Sequence, residues 1–263
     1  MRANRFCFRN IALAMAFTIA PTSAALAQSI PDDIPEDFYR AELVVLERLV
    51  EPAEVEERMA GKEVEPPVSS TTDLWVDGED GSRSTDLGLV ATHELHLSQA
   101  IQRLERSGNY RVLASAGWYR SFPPDYDTGP MRIAIGDWLE AAGQREIDGH
   151  ISIERRRYLH VGVNLNHWQV DEAAVEEARA AARAEATPAT QDPAEETQHN
   201  QNESQAQQKA ADSSPAPVTL EPVEPDLLTW IRETRRMRSG EIHFIDSPTI
   251  GVLVYFEPIE EEE

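Results

Sequence analysis

The sequence has one cysteine, two lysines and no long apolar run, and each shortage excludes a class of protein. Cys7 precedes the apolar stretch of the amino terminus, where a lipoprotein acylation site would follow it. Neither Lys62 nor Lys209 follows a serine at the Ser-x-x-Lys spacing of a penicillin-binding nucleophile. No later segment approaches the ~20 apolar residues of a membrane-spanning helix. We therefore expect no thiol chemistry, no Ser–Lys catalysis and no membrane insertion.

Catalytic and metal-binding motifs are also missing. There is no Gly-x-Ser-x-Gly elbow, and His93-Glu94-Leu95-His96 spaces its histidines at i and i+3, whereas the zinc-protease helix needs i and i+4. The acids of the following set do not match the EF-hand spacing and predict a solvated loop: Asp73, Asp77, Glu79, Asp80 and Asp86. We predict that the protein is not an enzyme and holds neither metal nor cofactor.

The amino terminus predicts export. Arg2, Arg5 and Arg9 precede an apolar stretch at 11–20, and Ala25-Leu26-Ala27 forms a small-x-small cleavage site. Ten apolar residues are too few to span a bilayer core of ~30 Å. We predict a cleaved signal peptide at 1–27 and, because the exported chain has no cysteine, a periplasmic location.

Charge is abundant and unevenly placed. Aspartate and glutamate number 47 against 24 lysines and arginines, which gives a formal charge of −23, and cleavage of three arginines makes it −26. Such a chain is a poor candidate for binding nucleic acid or an anionic membrane. Residues 171–226 alone carry 13 acids and 3 bases, whereas arginines gather at 155–157 and 232–238.

Apolar patterning predicts strands around one clear helix. Residues 39–50 are apolar on both faces at Leu43-Val44-Val45-Leu46, as in a central strand. The helix runs from an N-cap at Thr92 to Gly108, and a strand at 110–120 follows it in a β-α-β unit. Residues 147–168 alternate strictly and predict a hairpin turning near 154–157, or else one long strand.

The carboxyl-terminal residues predict three more strands. Turns at Ser239-Gly240 and Ser247-Pro248 separate strands at 230–238, 241–246 and 251–257. The fold class is α+β, a mainly antiparallel sheet with a helix packed on one face. We divide the chain after the signal peptide into a leader (28–38), a first part of the domain (39–170) and an acidic low-complexity insert (171–226). Strands that complete the same domain (227–258) and an acidic tail (259–263) follow. The first part contains an acidic excursion at 51–90, which has room for one short helix. The insert predicts a solvated helix at 172–186 and then disorder.

Three blocks carry a family resemblance. They are Tyr39–Arg48, residues 148–161 from Asp148-Gly149-His150, and Arg235–Asp246 with Gly251–Val254. Together they resemble the CsiV family of periplasmic peptidoglycan-binding proteins over most of the chain outside 51–90 and 171–226. The resemblance implies a non-enzymatic protein that binds peptidoglycan and is linked to the regulation of cell-wall synthesis.

No binding residues carry over from that resemblance, so the predicted site rests on charge. Arg157, Arg236 and Arg238 lie in the two blocks where arginines gather, and guanidinium groups bind carboxylates well. The alternative is that these arginines pair with the protein's many acids. Trp118, Trp138, Trp168 and Trp230 offer faces for sugar stacking, although core anchoring is the commoner role of tryptophan.

Two functions from different classes stay open. The first is a peptidoglycan-binding protein that regulates cell-wall synthesis, with synthase regulators as further partners. The second is a protein–protein adaptor of an envelope or cell-wall synthase complex, with incidental affinity for the wall. A cell-wall hydrolase is the least favoured reading, because no catalytic motif supports it.

Overall fold

The computed structural model describes residues 30–31, 33–51, 54–55, 59, 62–64, 66–186 and 222–260, the side chains of 184–186 excepted. The predicted signal peptide, most of the predicted disordered segment and the last three residues of the tail lie outside the described residues. None of the helices in the described ranges is long and apolar enough to cross a membrane.

The first sheet has four strands. β1 (Phe38–Arg48) lies between β4 (Tyr110–Ser121) and β10 (Ile250–Pro258), and β9 (His243–Asp246) forms the edge beyond β10. All its pairs are antiparallel. Leu43, Val44, Val45 and Leu46 are all buried, because the central strand is covered on both faces. The prediction of a central strand at 39–50 is confirmed.

Helix α1 (Ser98–Ser107) packs on one face of this sheet. Leu97 and Ile101 pack with Val44, Leu46, Leu253 and Tyr255. Gly108 ends the helix in the left-handed conformation, as predicted. The predicted start at Thr92 was wrong, because residues Thr92–Glu94 form a separate 3-10 turn. The N-cap residue of α1 is Leu97, whose side chain makes no capping hydrogen bond.

A carboxylate from β1 instead caps the two backbone N–H groups that come just before α1. Glu42, fully buried, accepts hydrogen bonds from the backbone N–H groups of His96 and Leu97, each at 2.9 Å. A negative charge near the start of a helix also interacts favourably with the helix dipole. The β-α-β interpretation was wrong, because β2 and β3 come between β1 and α1 in the chain and because β1 and β4 are antiparallel neighbours.

The second sheet has six strands in the order β3 (Arg83–Ser84), β2 (Thr72–Asp77), β5 (Met131–Leu139), β6 (Gln144–Arg155), β7 (Leu159–Gln169) and β8 (Asp226–Arg236). β6 and β7 are antiparallel neighbours, with Ile147 opposite His167 and Arg155 opposite Leu159. The predicted hairpin is therefore confirmed, and the alternative of one long strand is wrong. The acidic excursion was incompletely predicted, because it contains β2 and β3. Strand β5 was missed, although Met131, Ile133 and Ile135 alternate as a half-buried strand should.

The core lies between the two sheets. Ala41, Leu43 and Val45 of β1 pack in one cluster with inward residues of β5, β6, β7 and β8, of which Ile147, Ile151 and Ile153 are fully buried. The other face of the four-stranded sheet carries α1. The outer face of the six-stranded sheet carries polar and aromatic side chains, the residue types that line binding sites. The α+β, mainly antiparallel fold class is confirmed.

The carboxyl-terminal turn at Ser239-Gly240 was misread as a hairpin. β8 belongs to the six-stranded sheet and β9 to the four-stranded sheet, so this turn carries the chain from one sheet to the other. The turn at Ser247-Pro248 does join an antiparallel pair, β9 and β10. The insert begins with the predicted helix, α2 (Glu172–Ala186), whose described side chains are exposed or half-buried.

Candidate functional site

All three arginines predicted as a site lie in one depression. It has a volume of about 400 Å³ and is lined by the residues Tyr39, Arg155, Arg157, Tyr158, Leu159, Arg236, Met237, Arg238 and Ser239. We call it the arginine depression. Among the residues that the structure describes, four arginines and no carboxylate line it. The structure thus brings Arg157, Arg236 and Arg238 together, and it adds Arg155, which the predicted site did not include.

The β6–β7 hairpin builds this depression. Residues 156–158 form its turn, where Arg156 N–H donates to the Tyr158 carbonyl at 3.1 Å. Next to the turn, Met237 N–H donates to the Leu159 carbonyl at 2.8 Å, which places the residues after β8 beside β7. Met237 and Leu159 are buried and supply an apolar floor. The charged side chains therefore surround an apolar floor that water does not reach from the protein interior.

The arginines of the depression differ in what they contact. Arg155 is fixed by Asp37 at 3.0 Å and by the Tyr39 hydroxyl at 3.1 Å, so it has a structural role. Arg238 has a long ion pair of 3.5 Å with Glu241. In the described ranges, Arg157 and Arg236 have no carboxylate within ion-pair distance. These two guanidinium groups are available to an anionic ligand.

Tyr158 gathers the two unpaired arginines. The guanidinium carbons of Arg157 and Arg236 lie 5.5 Å and 4.6 Å from the centre of its ring, and the ring is 42 % exposed. Contacts of this kind orient a cation while leaving its N–H groups free. The alternative of pairing with acids holds for the neighbours Arg156, with Glu154 at 2.9 Å, and Arg235, with Glu233 at 2.6 Å.

A second concave surface, which the sequence did not predict as a site, lies on the outer face of β5–β8. We call it the sheet groove; its volume is about 580 Å³, and its polar centre is formed by Asp148, His150, Asn164, Asn166, Trp168 and Arg232. Asp148 Oδ1 accepts hydrogen bonds from Asn166 Nδ2 and Trp168 Nε1, both at 2.8 Å. Arg232 donates to Asn166 Oδ1 and, at 3.0 Å, to the Leu165 carbonyl. These bonds hold the side chains in fixed positions.

Gly149, which lies between Asp148 and His150, occupies a position that requires glycine. Its φ is +137°, and a Cβ atom built there would lie 2.1 Å from the carbonyl oxygen of Asn164 on the paired strand. Glycine alone tolerates both the conformation and the close approach. The sequence Asp148-Gly149-His150 therefore brings β6 and β7 together while its two polar residues face outward.

A partly buried charged cluster lies elsewhere, toward the other end of β6. Arg111 lies 2.6 Å from Glu47 Oε2, 2.9 Å from Asp137 Oδ1 and 2.5 Å from Glu146 Oε1. Burial raises the pKa of Glu146 to about 7 and lowers the pKa of His167 to about 4. Glu47, Glu146 and His167 are close enough to ligate a cation, but the guanidinium of Arg111 already supplies the positive charge there.

The histidines of His93-Glu94-Leu95-His96 have separate surroundings. The side chain of His93 is largely exposed, 3.7 Å from Glu94, whereas His96 stacks on Tyr255 with ring centres 4.1 Å apart. The peptide between them bends around the buried Leu95. The two imidazoles are thus directed by different contacts rather than toward a common ligand.

Comparison with known proteins gives one result. A family model described as "Peptidoglycan-binding protein, CsiV" matches residues 10–259, nearly the whole chain. No curated protein and no solved structure shows a significant match. Because the family model covers both sheets and the segments that connect them, this chain belongs to the CsiV family.

Proposed function

We propose that this chain is an exported, non-enzymatic protein of the periplasm that binds peptidoglycan and takes part in regulating cell-wall synthesis. The description of its family supports the binding activity. The observation that carries the proposal is the arginine depression. In a protein with 47 acids and 24 bases, one concave surface is lined, within the described part of the chain, by four arginines and no carboxylate.

The chemistry of the depression suits the stem peptides of the wall, which carry carboxylates. A guanidinium group binds a carboxylate through two parallel N–H donors, and this geometry favours arginine over lysine. Arg157 and Arg236 have no ion-pair partner in the described part of the chain, and the long contact of Arg238 with Glu241 is easily exchanged. We therefore assign Arg157, Arg236 and Arg238 as contacts to peptide carboxylates, with Arg155 holding the wall of the depression.

The net charge does not prevent such binding. Repulsion between an acidic protein and an anionic polymer is screened beyond ~10 Å at 0.1 M salt, whereas contacts within the depression are shorter than that. The charge of −26 that remains after signal cleavage, three arginines fewer than the −23 of the full chain, nevertheless restricts binding to the surface where arginines are concentrated. Recognition should therefore be local to the depression rather than spread over the protein.

A sacculus pull-down tests the proposal directly. Purified sacculi, centrifuged with the signal-free protein at low salt, should carry a saturable fraction of it into the pellet. Protein that stays wholly in the supernatant would refute peptidoglycan binding. The turbidity of the sacculi should stay constant, because a falling turbidity would show hydrolysis and refute a non-enzymatic role.

One observation favours the second candidate, an adaptor that works through protein contacts. β8 ends the six-stranded sheet, and within the described residues its outer edge accepts only one backbone bond from another segment, from Met59 N–H to the Leu228 carbonyl at 3.1 Å. A sheet edge with unpaired backbone groups can accept a strand from a partner. Crosslinking in cells separates the candidates: a dominant protein adduct together with negligible sacculus binding would favour the adaptor.

A further inference from the structure

The sheet groove is the most distinctive surface that the proposed function has not used. An antiparallel sheet that simply faces water carries isolated polar residues on its outer side. Here the outer side chains of β6 and β7 bond to one another, and Asn166 is only 7 % exposed. A polar cluster that is partly buried and fixed in geometry is typical of a binding site.

Trp168 provides an aromatic surface in the groove. Its ring nitrogen is held by Asp148 at 2.8 Å, which fixes the position of the indole. Trp138, the other tryptophan of the groove, has the guanidinium of Arg145 5.3 Å from its ring. No arginine lies over Trp168 among the described residues, and this half-buried side chain lines the groove, where a ligand can reach it.

Three further polar groups have no hydrogen-bond partner in the part of the chain that the structure describes. They are the second carboxylate oxygen of Asp148, the side-chain amide of Asn164 and the imidazole of His150. Burial, with the nearby charge of Arg232, lowers the pKa of His150, so its ring is neutral at physiological pH. The groove thus offers acceptors and donors in addition to an aromatic surface.

Formal charges in the groove nearly cancel. Among the lining residues that the structure describes, Asp77 and Asp148 face Arg132, Arg145 and Arg232, whereas the arginine depression has four arginines and no acid. Arg145 and Arg232 also donate to backbone carbonyls, which uses part of their hydrogen-bonding capacity. A ligand of this surface should therefore be polar and uncharged, with flat apolar faces and many hydroxyl or amide groups.

We infer that the sheet groove binds the glycan strand of peptidoglycan, a β-linked chain of N-acetylated amino sugars, by stacking a sugar ring on Trp168 and hydrogen-bonding its hydroxyl and acetamido groups to Asp148, Asn164 and His150. This inference rests on the proposed function for the identity of the polymer. It assigns the sugar part of the ligand to a surface separate from the arginines.

The positions of the two surfaces fit one branched ligand. Arg232 in the groove and Arg236 in the depression have the same parity in β8 and pair with Asn164 and His160 of β7. Four residues of strand separate them, a distance of roughly 13 Å. A glycan lying in the groove would therefore direct an attached acidic peptide along β8 toward the depression.

A peptide-free probe tests the groove alone. We would titrate the isotopically labelled protein with an oligomer of β-1,4-linked N-acetylglucosamine and follow the indole N–H signal of Trp168 by NMR, assigned by its loss in W168F. The inference predicts a saturable shift of this signal and of the β6 and β7 amides. The asparagine side chain is tested by Asn164→Ala, which removes no described hydrogen bond and should weaken binding about 2- to 13-fold, the effect of one neutral hydrogen bond. Asn109→Ala, at an exposed asparagine after α1, is the matched control and should leave the affinity unchanged.

The outcomes separate the two proposals. A protein that pellets with sacculi, but whose Trp168 signal does not shift at millimolar oligosaccharide, would overturn the groove inference and leave peptidoglycan binding intact. Equal affinities of Asn164→Ala and wild type would likewise overturn the assignment of Asn164 as a contact. A protein that binds neither the oligosaccharide nor sacculi would refute both.

Discussion

Glu42 of β1 holds the backbone of His96 in place: its buried carboxylate accepts the His96 N–H at 2.9 Å and, through its other oxygen, the Leu97 N–H. Arg40 Nε lies 2.8 Å from the same carboxylate and balances its charge. Glu42→Gln replaces one acceptor by an NH₂ group that faces a backbone donor. We expect a loss of about 2–3 kcal/mol in the free energy of unfolding, measured with urea.

Thr92→Ala is the control for that prediction. Thr92 is exposed and was predicted from the sequence as the N-cap, but it begins a separate 3-10 turn. Its replacement should change the free energy of unfolding by less than about 0.5 kcal/mol. A larger effect at Thr92 than at Glu42 would contradict the capping role that we give to Glu42.

The arginine depression predicts a specific loss of wall binding. The triple variant Arg157→Ala, Arg236→Ala, Arg238→Ala removes three exposed cations, each contributing roughly 0–1 kcal/mol, so sacculus affinity should fall by up to about 150-fold. Binding should also become less sensitive to salt. The measurement is a set of pull-down isotherms between low and physiological ionic strength, with thermal melting as the test of folding.

A second triple variant controls for charge. Arg103→Ala, Arg106→Ala, Arg179→Ala removes the same number of arginines from α1 and α2. It should bind sacculi much more tightly than the depression variant, because only the net charge is altered. A depression variant that melts and binds like wild type would rule out these arginines as contacts.

The buried pair Glu146 and His167 predicts opposing effects of pH. The pKa of Glu146 is raised from 4.5 to about 7, so its contribution to stability is fully present below pH 4.5 and is lost as the pH rises to 7. The pKa of His167 is lowered from 6.5 to about 4, so its contribution is present above pH 6.5 and is lost as the pH falls to 4. Between these limits the two contributions partly cancel.

Two variants separate them. Glu146→Gln leaves only the effect of His167, so stability should fall as the pH drops from 6.5 to 4. His167→Gln leaves only the effect of Glu146, so stability should fall as the pH rises from 4.5 to 7. The size is on the order of 1–2 kcal/mol, less than the shifts alone imply, because Arg111 and water screen these groups. Urea titrations across this range are the measurement, and slopes of the same sign would contradict the prediction.

Gly149 predicts a large effect from one methyl group. Gly149→Ala would place a Cβ atom 2.1 Å from the Asn164 carbonyl oxygen, in addition to the strain of a positive φ. We expect a loss of more than about 3 kcal/mol, since backbone strain alone costs about 1–3 kcal/mol. Gly143→Ala is the matched control, because Gly143 also has a positive φ but no atom within 4 Å of its added Cβ. Equal melting temperatures for the two variants would show that the close approach carries no cost.

Local pattern predicted much of the fold. Leu43 to Leu46 are apolar on both faces because β1 has covered faces, and the alternation of 147–168 reports the buried and outer sides of β6 and β7. The turn at Ser239-Gly240 was misread because its composition does not say which sheet each strand joins. β2 was missed because Leu74 and Trp75, both buried, are surrounded by Ser, Thr, Asp and Gly.

The candidate sites depend on register, which the sequence does not reveal. Arg157 and Arg236 were predicted from charge alone, and they meet because the β6–β7 turn lies beside the end of β8. The groove was missed because Asp148, Asn166 and Trp168 become neighbours only when β6 and β7 pair. The outward positions of His150 and Asn164 were readable, but polar residues on a strand usually face water.

β7 and β8 are paired up to Gln169 and Asp226, so the insert leaves the sheet and returns to it at the same rung of the ladder. The entropy of closing a flexible connection rises only logarithmically, by about 0.6 kcal/mol for each doubling of its length. The junction between Gln169 and Asp226 can therefore tolerate large changes in the number of inserted residues without separating the strands that carry the arginines. It is a position where a fluorescent reporter or an affinity handle can be spliced into the middle of the chain, leaving both concave surfaces as they are.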